Sequence, residues 1–296
     1  MDDMDWLAER FESHRARLRA VAYQMLGSLA EADDAVQEAW LRLSRADTSG
    51  VTNLGGWLTT VVARVCLDML RSRKTRREEP LGVHMPDPVV GCINGTDPEH
   101  QALQGDSVGL ALLVVLDTLE PAERLAFVLH DMFDLPFNEI ALLVGRSANA
   151  ARLLASRARR RVRTAPVPDA DLARQREVVG AFLAASRSAD FEALVAVLDP
   201  GVVLRADSGA LRPGAPAAVR GAAAVAGQAL SFTRFAPHTK LALVNGAVGL
   251  VTAPSGKPLS VMGFTISHGK IAEIDILADP QRLHLLNLAA LGNGHE

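Results

Sequence analysis

The chain has 296 residues, which is enough for two or three domains that each bury a core of their own. Hydrophobic residues make up 49% of the sequence and charged residues 22%, a globular composition that excludes an extended disordered chain. The formal net charge is −3, so any binding of nucleic acid has to depend on local clusters of cations and not on the total charge.

The sequence carries no sign of a metal site or of export. Cys66 and Cys92 lack the spacing of a zinc site, and we expect reduced thiols, no metal and no cofactor. The N-terminus is acidic, without the basic start of a signal peptide, and no apolar run reaches the ~20 residues that span a bilayer. We therefore expect a cytoplasmic protein that does not contact a membrane.

The first predicted domain, residues 1–79, has helical periodicity from about residue 6 to residue 77. Gly27-Ser28 interrupts the first helix, and residues 47–56 form a polar loop before the last one. That last helix ends in a basic run at residues 71–77, with five cations in seven positions, which suits a DNA backbone. Because a helix C-terminus also stabilises cations, a solvated basic end is the alternative. The predicted inward faces are Leu18, Val21, Ala22 and Met25 in one helix, and Ala35, Val36, Ala39, Trp40 and Leu43 in the next.

Residues 80–100 form a predicted linker that is rich in proline and glycine. A residue that precedes proline is displaced from helical geometry, so we expect this stretch to be extended and to lie on a surface of the protein.

The next predicted domain, residues 101–165, contains a candidate helix-turn-helix. Residues 138–144 form its first helix, Gly145 suits a left-handed turn position, and the Ser147 hydroxyl can cap the second helix. A buried amphipathic helix with a solvated basic face is the alternative. In the second helix the predicted inward stripe is Ala151, Ala155, Ala158 and Val162, and the outward residues are Asn149, Arg152, Ser156, Arg159, Arg160 and Arg163. Outward arginine and asparagine side chains can reach base edges or phosphates in the major groove.

From about residue 170 to residue 296 the pattern changes from helices alone to helices followed by strands. This order predicts an α+β domain with a curved antiparallel sheet. The predicted helices are residues 171–187, 190–198, 217–230 and 280–291, and the predicted strands are residues 202–205, 239–244, 247–252, 259–267 and 271–277, with a hairpin turn at His268-Gly269.

Residues of this last domain could line a pocket. The candidates are Phe182, Phe191, Asp207, Phe232, Phe235, His238, Phe264 and Asp275. An aspartate and a histidine could in principle transfer protons. Scattered phenylalanines are more simply core residues, and alternation along the last strand predicts that Asp275 points outward, so we expect no catalytic residue.

Three segments together carry a family resemblance. The segments AYQMLGS…EADDAVQEAWLRL, GWLTTVVARVCLDMLRSRKTRREE and LEPAERLAFVLHDMFDLPFNEIALLVGRSANAARLLASRARRRV resemble the two conserved regions of extracytoplasmic-function (ECF) sigma factors of the sigma-70 family. The tail resembles the SnoaL-like extension of the SigJ-type subgroup, by pattern alone. The resemblance implies two all-α sigma domains, region 2 and the helix-turn-helix region 4, followed by an α+β SnoaL-like cone.

The resemblance also implies roles for individual residues. An acidic and amide face on the second helix would bind the core of RNA polymerase, although a solvated acidic face is the alternative; its residues are Asp33, Asp34, Gln37 and Glu38. The loop at residues 47–56, with Asn53, would capture a flipped promoter base. Promoter DNA would further be bound by Arg64, Arg71, Arg73 and Lys74 beside that loop, and by Ala148, Asn149, Arg152, Leu153, Ser156 and Arg159 at the upstream promoter element.

The subgroup carries two further signatures that would form a regulatory contact. A Trp-Leu-Pro-Glu-Pro stretch in its linker corresponds here to residues 84–88, where the tryptophan is absent and Pro86, Asp87 and Pro88 remain. An Asp-Gly-Gly-Gly-Lys run in its tail corresponds to residues 207–210, where Asp207 remains and the lysine is absent. We expect the tail to modulate sigma activity; an unknown small ligand or partner of the tail stays open.

The predicted function is therefore a sigma factor that binds core RNA polymerase and directs promoter-specific initiation. One alternative is a one-component helix-turn-helix regulator with a ligand-binding tail, which would act as a dimer on a palindromic site. Another is an enzyme fused to a DNA-binding module, whose turnover would depend on Asp207 or Asp275.

Overall fold

A computed structural model describes residues 3–46, 51, 53–76, 84–93, 109–209 and 218–286. The chain divides into two compact units, Met1–Glu79 with Val115–Thr164, and Pro80–Val114 with Ala165–Glu296. Each unit is built from two separate stretches of sequence. In the described ranges, no helix is both long and apolar enough to cross a membrane.

The first unit is entirely helical in the residues that the structure describes. Its helices are α1 (Asp3–Leu26), α2 (Leu29–Leu43), α3 (Leu54–Arg76), the end of α4 (Leu110–Asp117), α5 (Pro121–Phe127) with a π turn (Val128–Met132), α6 (Phe137–Val144) and α7 (Ala148–Val162).

Local chemistry explains where the first helices begin and end. Gly27 adopts a φ of +71°, which ends α1, and the Ser28 side chain caps α2 by accepting from the Glu31 amide, as the predicted break requires. The predicted loop at residues 47–56 is wrong at its last three residues, because α3 already begins at Leu54. The Asn53 side chain accepts from the Gly56 amide at 3.0 Å, so it caps this helix.

The predicted inward faces of α1 and α2 are confirmed, except that Trp40 is only half-buried. Among the residues that the structure describes, the largest fully buried side chain is a charged one, Arg124 on α5. Its Nε donates to the Gln24 carbonyl oxygen at 3.2 Å and its Nη1 to Asp117 Oδ1 at 2.9 Å. A buried guanidinium without such partners would cost several kcal/mol, so these bonds hold α5 against α1 and against the end of α4.

In its described residues, the second unit is a sheet of seven strands packed with helices. Its strands are β1 (Val90–Gly91), β2 (Leu198–Asp207), β3 (Val219–Arg220), β4 (Thr239–Val244), β5 (Ala247–Thr252), β6 (Ser260–Ser267) and β7 (Lys270–Leu277). Its helices after residue 165 are α8 (Leu172–Ser188), α9 (Phe191–Val197), α10 (Ala222–Leu230), α11 (Pro280–Leu285) and the 3₁₀ turns Thr233–His238 and Pro254–Gly256. The strand order is β1-β4-β5-β6-β7-β2-β3.

The prediction of an antiparallel sheet is wrong at one pair of strands, because β2 and β7 run parallel, with Leu204 opposite Ile274. The more than sixty residues between these strands form a connection long enough for parallel pairing, whereas the short hairpins of β4 to β7 enforce antiparallel pairing. β2 also begins earlier than predicted, with a register irregularity between Leu198 and Val203.

Two predicted helices of this unit differ in extent. Residues 217–230 were predicted as one helix, but β3 precedes α10, and Gly221 between them has a φ of +89°. The closing helix, predicted over residues 280–291, is described from Pro280 to Leu285, and residues 287–291 lie outside the described ranges.

The predicted linker contributes the edge strand β1. Val90 pairs with Val244 and Gly91 with Leu243, antiparallel to β4. At the β4–β5 turn Asn245 adopts a φ of +50°, its side-chain oxygen accepts from the Val89 amide at 3.0 Å, and its own amide donates to the Val89 carbonyl at 2.8 Å. The described part of the linker is therefore extended and held on the sheet by backbone pairing.

One face of the sheet packs against the helices through apolar side chains. Phe182 of α8 meets Phe264 of β6 edge to face, with ring centroids 5.5 Å apart. Buried residues of α9 and α10, such as Leu194 and Val225, join the same cluster.

Candidate nucleic-acid interface and linker contact

The helix-turn-helix has the geometry that its sequence predicts. Gly145 adopts a φ of +67° at the end of α6, and the Ser147 side chain accepts from the Ala150 amide at 3.2 Å to cap α7. Ala151, Ala155 and Ala158 are buried, as predicted, whereas Val162 is half-buried. Along the outer face of α7, Asn149, Arg152, Leu153 and Ser156 are exposed, and Ala148 is half-exposed at the first turn.

The outer face of α7 contains a shallow recess of about 490 Å³, referred to below as the recognition recess; it is lined by Phe137, Asn149, Arg152, Leu153, Ser156 and Arg159. Nη1 of Arg152 donates to Asn149 Oδ1 at 2.8 Å, and its guanidinium carbon lies 5.5 Å from the centroid of the Phe137 ring. Phe137 was absent from the sequence-based candidates because it belongs to the other helix.

Arg159 is oriented by a carboxylate. Its Nε and Nη2 both donate to Asp131, with a shortest distance of 2.7 Å. Such a two-point ion pair holds the guanidinium plane in one direction. Arg159 is accordingly less free to rotate than Arg160 and Arg163, which are exposed at the end of α7.

The described cations that the resemblance assigns to DNA on α3 differ in their contacts. Arg64 and Arg71 are exposed on the helix surface, with Arg71 4.0 Å from Asp68. Arg73 is half-buried, pairs with Glu31 and donates to the Leu26 carbonyl, so it also connects α3 to the first two helices. Lys74 pairs with Glu120 on the exposed surface. Of the predicted base-capturing loop, residues 47–50 and Thr52 lie outside the described ranges.

The predicted polymerase-binding residues share the outer surface of α2. Asp33, Asp34 and Gln37 are exposed and Glu38 is half-exposed. Asp33 accepts from Arg19 at 2.6 Å and Glu38 from Arg42 at 2.9 Å. The opposite face of α2 is buried, which leaves these polar groups available to a partner.

In the second unit, Arg282 of α11 brings the linker and the end of β2 together. It donates through Nε to Asp87 at 2.9 Å and through Nη1 to Asp207 at 2.7 Å, and it also contacts the Met85 carbonyl. Asp207 Oδ2 in turn accepts from the Met85 amide at 3.0 Å. Met85, Pro86 and Pro88 are buried. The predicted contact residues therefore lie together, joined by an arginine that no local sequence signal identifies.

The candidate pocket residues of the last domain do not form one site. Phe182 and Phe264 lie in the packed core, whereas Phe191, Phe232 and His238 are exposed and Phe235 is half-exposed. Asp207 and Asp275 alternate with core residues of their strands, so they lie on the other face of the sheet. Within the described ranges, no three His, Cys, Asp or Glu side chains group as metal ligands would.

The prediction that Asp275 points to solvent is wrong, because its side chain is buried against Arg205 and Glu273. Arg205 donates to Asp275 at 2.9 Å and to Glu273 at 2.7 Å across β2 and β7. Burial, with the neighbouring Glu273 carboxylate, raises the pKa of Asp275 to about 6 despite the guanidinium. One cation thus faces two carboxylates on the face of the sheet opposite the core.

A helix-turn-helix in the same unit as a helix with a basic end is typical of DNA-binding proteins. The family models of sigma-70 region 2 and sigma-70 region 4 match residues 10–76 and 109–162. The ECF RNA polymerase sigma factor SigJ of Mycobacterium tuberculosis is 40% identical over 289 residues, 92% of this chain and 91% of that one. A probable ECF sigma factor of the same species, SigI, is 36% identical over 99% of this chain and all of its own.

The crystal structure of M. tuberculosis SigJ superposes with a TM-score of 0.77 at 37% identity, covering 95% of this chain and 99% of that chain. The chain belongs to the ECF sigma factors of RNA polymerase. The one-component regulator considered as an alternative gains no support from these relatives.

Proposed function

We propose that the chain directs core RNA polymerase to one class of promoters in the cytoplasm and performs no chemistry of its own. The observation that carries this proposal is the exposed, capped α7, which presents Arg152 and Asn149 outward, in a chain whose relatives are sigma factors over nearly their whole length. Base contacts from such a helix give sequence preference, and phosphate contacts give affinity.

The two DNA-binding surfaces would read different parts of the promoter. On α7 the residues that would read the upstream element are Ala148, Asn149, Arg152, Leu153, Ser156 and Arg159. Near α3, Arg64, Arg71 and Lys74 would neutralise phosphates, and Arg73 would contribute less because it is held by Glu31. Asn53 caps α3 through its side chain, which suits a role in fixing the shape of the adjacent loop.

The polymerase would bind the outer surface of α2 through Asp33, Asp34, Gln37 and Glu38. Exposure of these side chains over a buried apolar face supports this assignment. Asp33 and Glu38 form exposed ion pairs with Arg19 and Arg42, which contribute little to stability. Breaking these pairs when the polymerase binds would therefore cost little free energy.

The second unit would be a SnoaL-like regulatory domain that acts through the linker. The clamp of Arg282 on Asp87 and Asp207, together with the buried Pro86 and Pro88, supports this proposal. The cation that the subgroup signature supplies as a lysine would be supplied here by Arg282 from another element. The side chains of Phe182 and Phe264 fill the core, which favours a regulatory role for the domain over catalysis.

Run-off transcription with purified core polymerase tests the main proposal. The wild-type chain should bind the core and start transcripts at defined sites on a genomic promoter pool. A double substitution, Asp34→Lys with Gln37→Lys, should abolish core binding, whereas Glu177→Lys, at an exposed position of α8, should leave it unchanged. A wild-type chain that fails to bind the core would overturn the proposal.

The linker contact has its own test. Arg282→Gln and Asp87→Asn should each change promoter output, and the double variant should change it no further, because the two residues act through one contact. Arg234→Gln, an exposed arginine of the same unit, is the control. Output that is unchanged in all these variants would remove the regulatory role.

A further inference from the structure

Arg152 in the recognition recess is exposed to solvent, and two neighbouring side chains contact it. Asn149 accepts from its Nη1 at 2.8 Å, and its guanidinium carbon lies 5.5 Å from the centroid of the Phe137 ring. An arginine normally loses rotational freedom about several side-chain bonds when it binds a partner, which costs conformational entropy. Two neighbours that already restrict the side chain reduce that loss, since part of the ordering occurs before DNA arrives.

The Phe137 ring in turn packs against the side chain of His130. It stacks on the His130 ring with centroids 3.8 Å apart and planes 33° from parallel. His130 Nδ1 lies 3.0 Å from the Leu135 carbonyl oxygen, so this nitrogen carries the proton that the carbonyl accepts. A chain of contacts therefore runs from the turn before α6, through Phe137, to Arg152 on α7.

The donors of Arg152 match one base in particular. The guanidinium fork donates in a two-point contact to O6 and N7 of guanine in the major groove. Asparagine reads adenine by accepting from N6 and donating to N7 at once. Here one lone pair of Asn149 Oδ1 already accepts from Arg152, which ties the Asn149 amide to the guanidinium and restricts the orientations in which it could read adenine.

We propose that Phe137 and Asn149 are positioning residues that hold Arg152 for a two-point contact with a guanine of the upstream promoter element. They set the preference for that base and contribute little to general DNA affinity. This inference rests on the proposed function of α7, and it adds the identity of the base and two residues that act through Arg152.

The test uses holoenzyme assembled from the full chain and core polymerase, with promoter duplexes whose upstream element is randomised. Wild-type holoenzyme should prefer guanine at one position by roughly 5- to 150-fold, the range of a good two-point contact. Arg152→Lys keeps the charge but should abolish most of that preference. Phe137→Leu should reduce it about 2- to 5-fold, the size of an exposed cation–π contact, and Phe137→Tyr should retain it. Asn149→Ala should also reduce it.

Total binding to the pool and its dependence on salt should stay unchanged in Phe137→Leu and Asn149→Ala. In Arg160→Ala, the control, total binding should fall while base preference is kept. Wild-type holoenzyme that selects no upstream sequence would contradict the proposed function of α7. If the wild type selects but the position lost in Arg152→Lys is not guanine, the inference is wrong. The inference is also wrong if Asn149→Ala keeps the full preference for guanine. If Phe137→Leu lowers the melting temperature of the protein, its effect on base preference is set aside and the Asn149→Ala result decides.

Discussion

At the scale of single residues, buried or half-buried charges make the connections between distant segments. Arg282 joins the linker to the end of β2, Arg124 joins α5 to α1, and Arg205 joins β2 to β7. Each guanidinium has several donors in a fixed plane, so one side chain can satisfy acceptors on two elements. Removal of an acceptor therefore leaves a desolvated charge, which costs more than the bond that is lost.

Asp275 should make stability depend on pH in an unusual direction. Its pKa is raised to about 6 in the folded protein from an ordinary value of 3.8, so the native state binds the proton more tightly than the unfolded state does. The contribution of this group to stability should therefore fall as pH rises from about 4 to about 6, by about 3 kcal/mol at most, and stay low above that pH.

Asp275→Asn should remove this pH dependence, because the amide keeps an acceptor for Arg205 without a charge. Urea denaturation at pH 4.5 and pH 7, followed by far-ultraviolet circular dichroism, measures it. The first unit contains all three tryptophans, Trp6, Trp40 and Trp57. An unfolding transition that appears in circular dichroism but not in tryptophan fluorescence therefore belongs to the second unit. Glu177→Gln, at an exposed position of α8, is the control; the same pH slope in Asp275→Asn as in the wild type would contradict the expectation.

At the scale of elements, the helix-turn-helix and the linker strand are set by different kinds of information. The turn at Gly145 and the cap at Ser147 depend only on neighbouring residues. The sequence predicts both, because a glycine that can adopt the left-handed conformation and a serine that can cap the next helix follow each other closely. The pairing of β1 with β4 joins residues more than 150 positions apart, and a two-residue strand in a proline-rich stretch has no periodicity to detect.

The same contrast explains which site residues could be predicted. The outward face of α7 follows from helical periodicity, which identified Asn149, Arg152 and Ser156 without a structure. Phe137 and Asp131 orient two of the arginines from outside α7, and Arg282 reaches Asp87 across 195 positions of sequence. Only the fold brings these side chains together, and the parallel pairing of β2 with β7 is unpredictable for the same reason.

Gly145→Ala should destabilise the first unit by roughly 1–2 kcal/mol, because a Cβ is unfavourable in the left-handed conformation although nothing lies within 4 Å of it. Gly180→Ala offers a matched control: its Cβ would also meet nothing within 4 Å, but the residue lies inside α8. That change should stabilise the second unit by about 0.5–1 kcal/mol. Denaturation of both variants measures the signs, and equal signs would contradict the explanation.

Asn245 should contribute to linker binding in two separable ways. Asn245→Gly permits the same backbone conformation but leaves the buried Val89 amide without its side-chain acceptor, at a cost of about 1–3 kcal/mol. Asn245→Ala should cost about 1–2 kcal/mol more, from the left-handed backbone. Hydrogen exchange at Val89 and Val90 measures the release of the linker; unchanged protection in both variants would show that the turn does not hold it.

At the scale of the whole molecule, the order of domains along the chain differs from their membership in the fold. The described linker residues, 84–93, precede the region 4 helices in sequence yet belong to the same compact unit as residues 165–209 and 218–286. Deletion of everything after Ala170 would therefore remove β4, Asp207 and Arg282, which are the partners of the linker, together with the rest of the proposed regulatory domain.

This deletion should change promoter output in run-off transcription, and in the same direction as Arg282→Gln in the full chain. Both changes free the linker, although only the deletion removes the domain. Opposite directions would indicate that the domain acts on initiation by a route other than the linker. Equal output from the deletion variant and the full chain would show that the tail is not a regulator.

The edge strand β1 also has a consequence for synthesis on the ribosome. Val90 is translated 154 residues before its partner Val244, which at about 5–20 residues per second is a delay of roughly 8–30 s. During that interval the nascent linker has no sheet to join, while region 2, completed earlier, can already fold. A newly made molecule thus passes through a period in which its DNA-reading helices have been synthesised but the proposed regulatory domain has not.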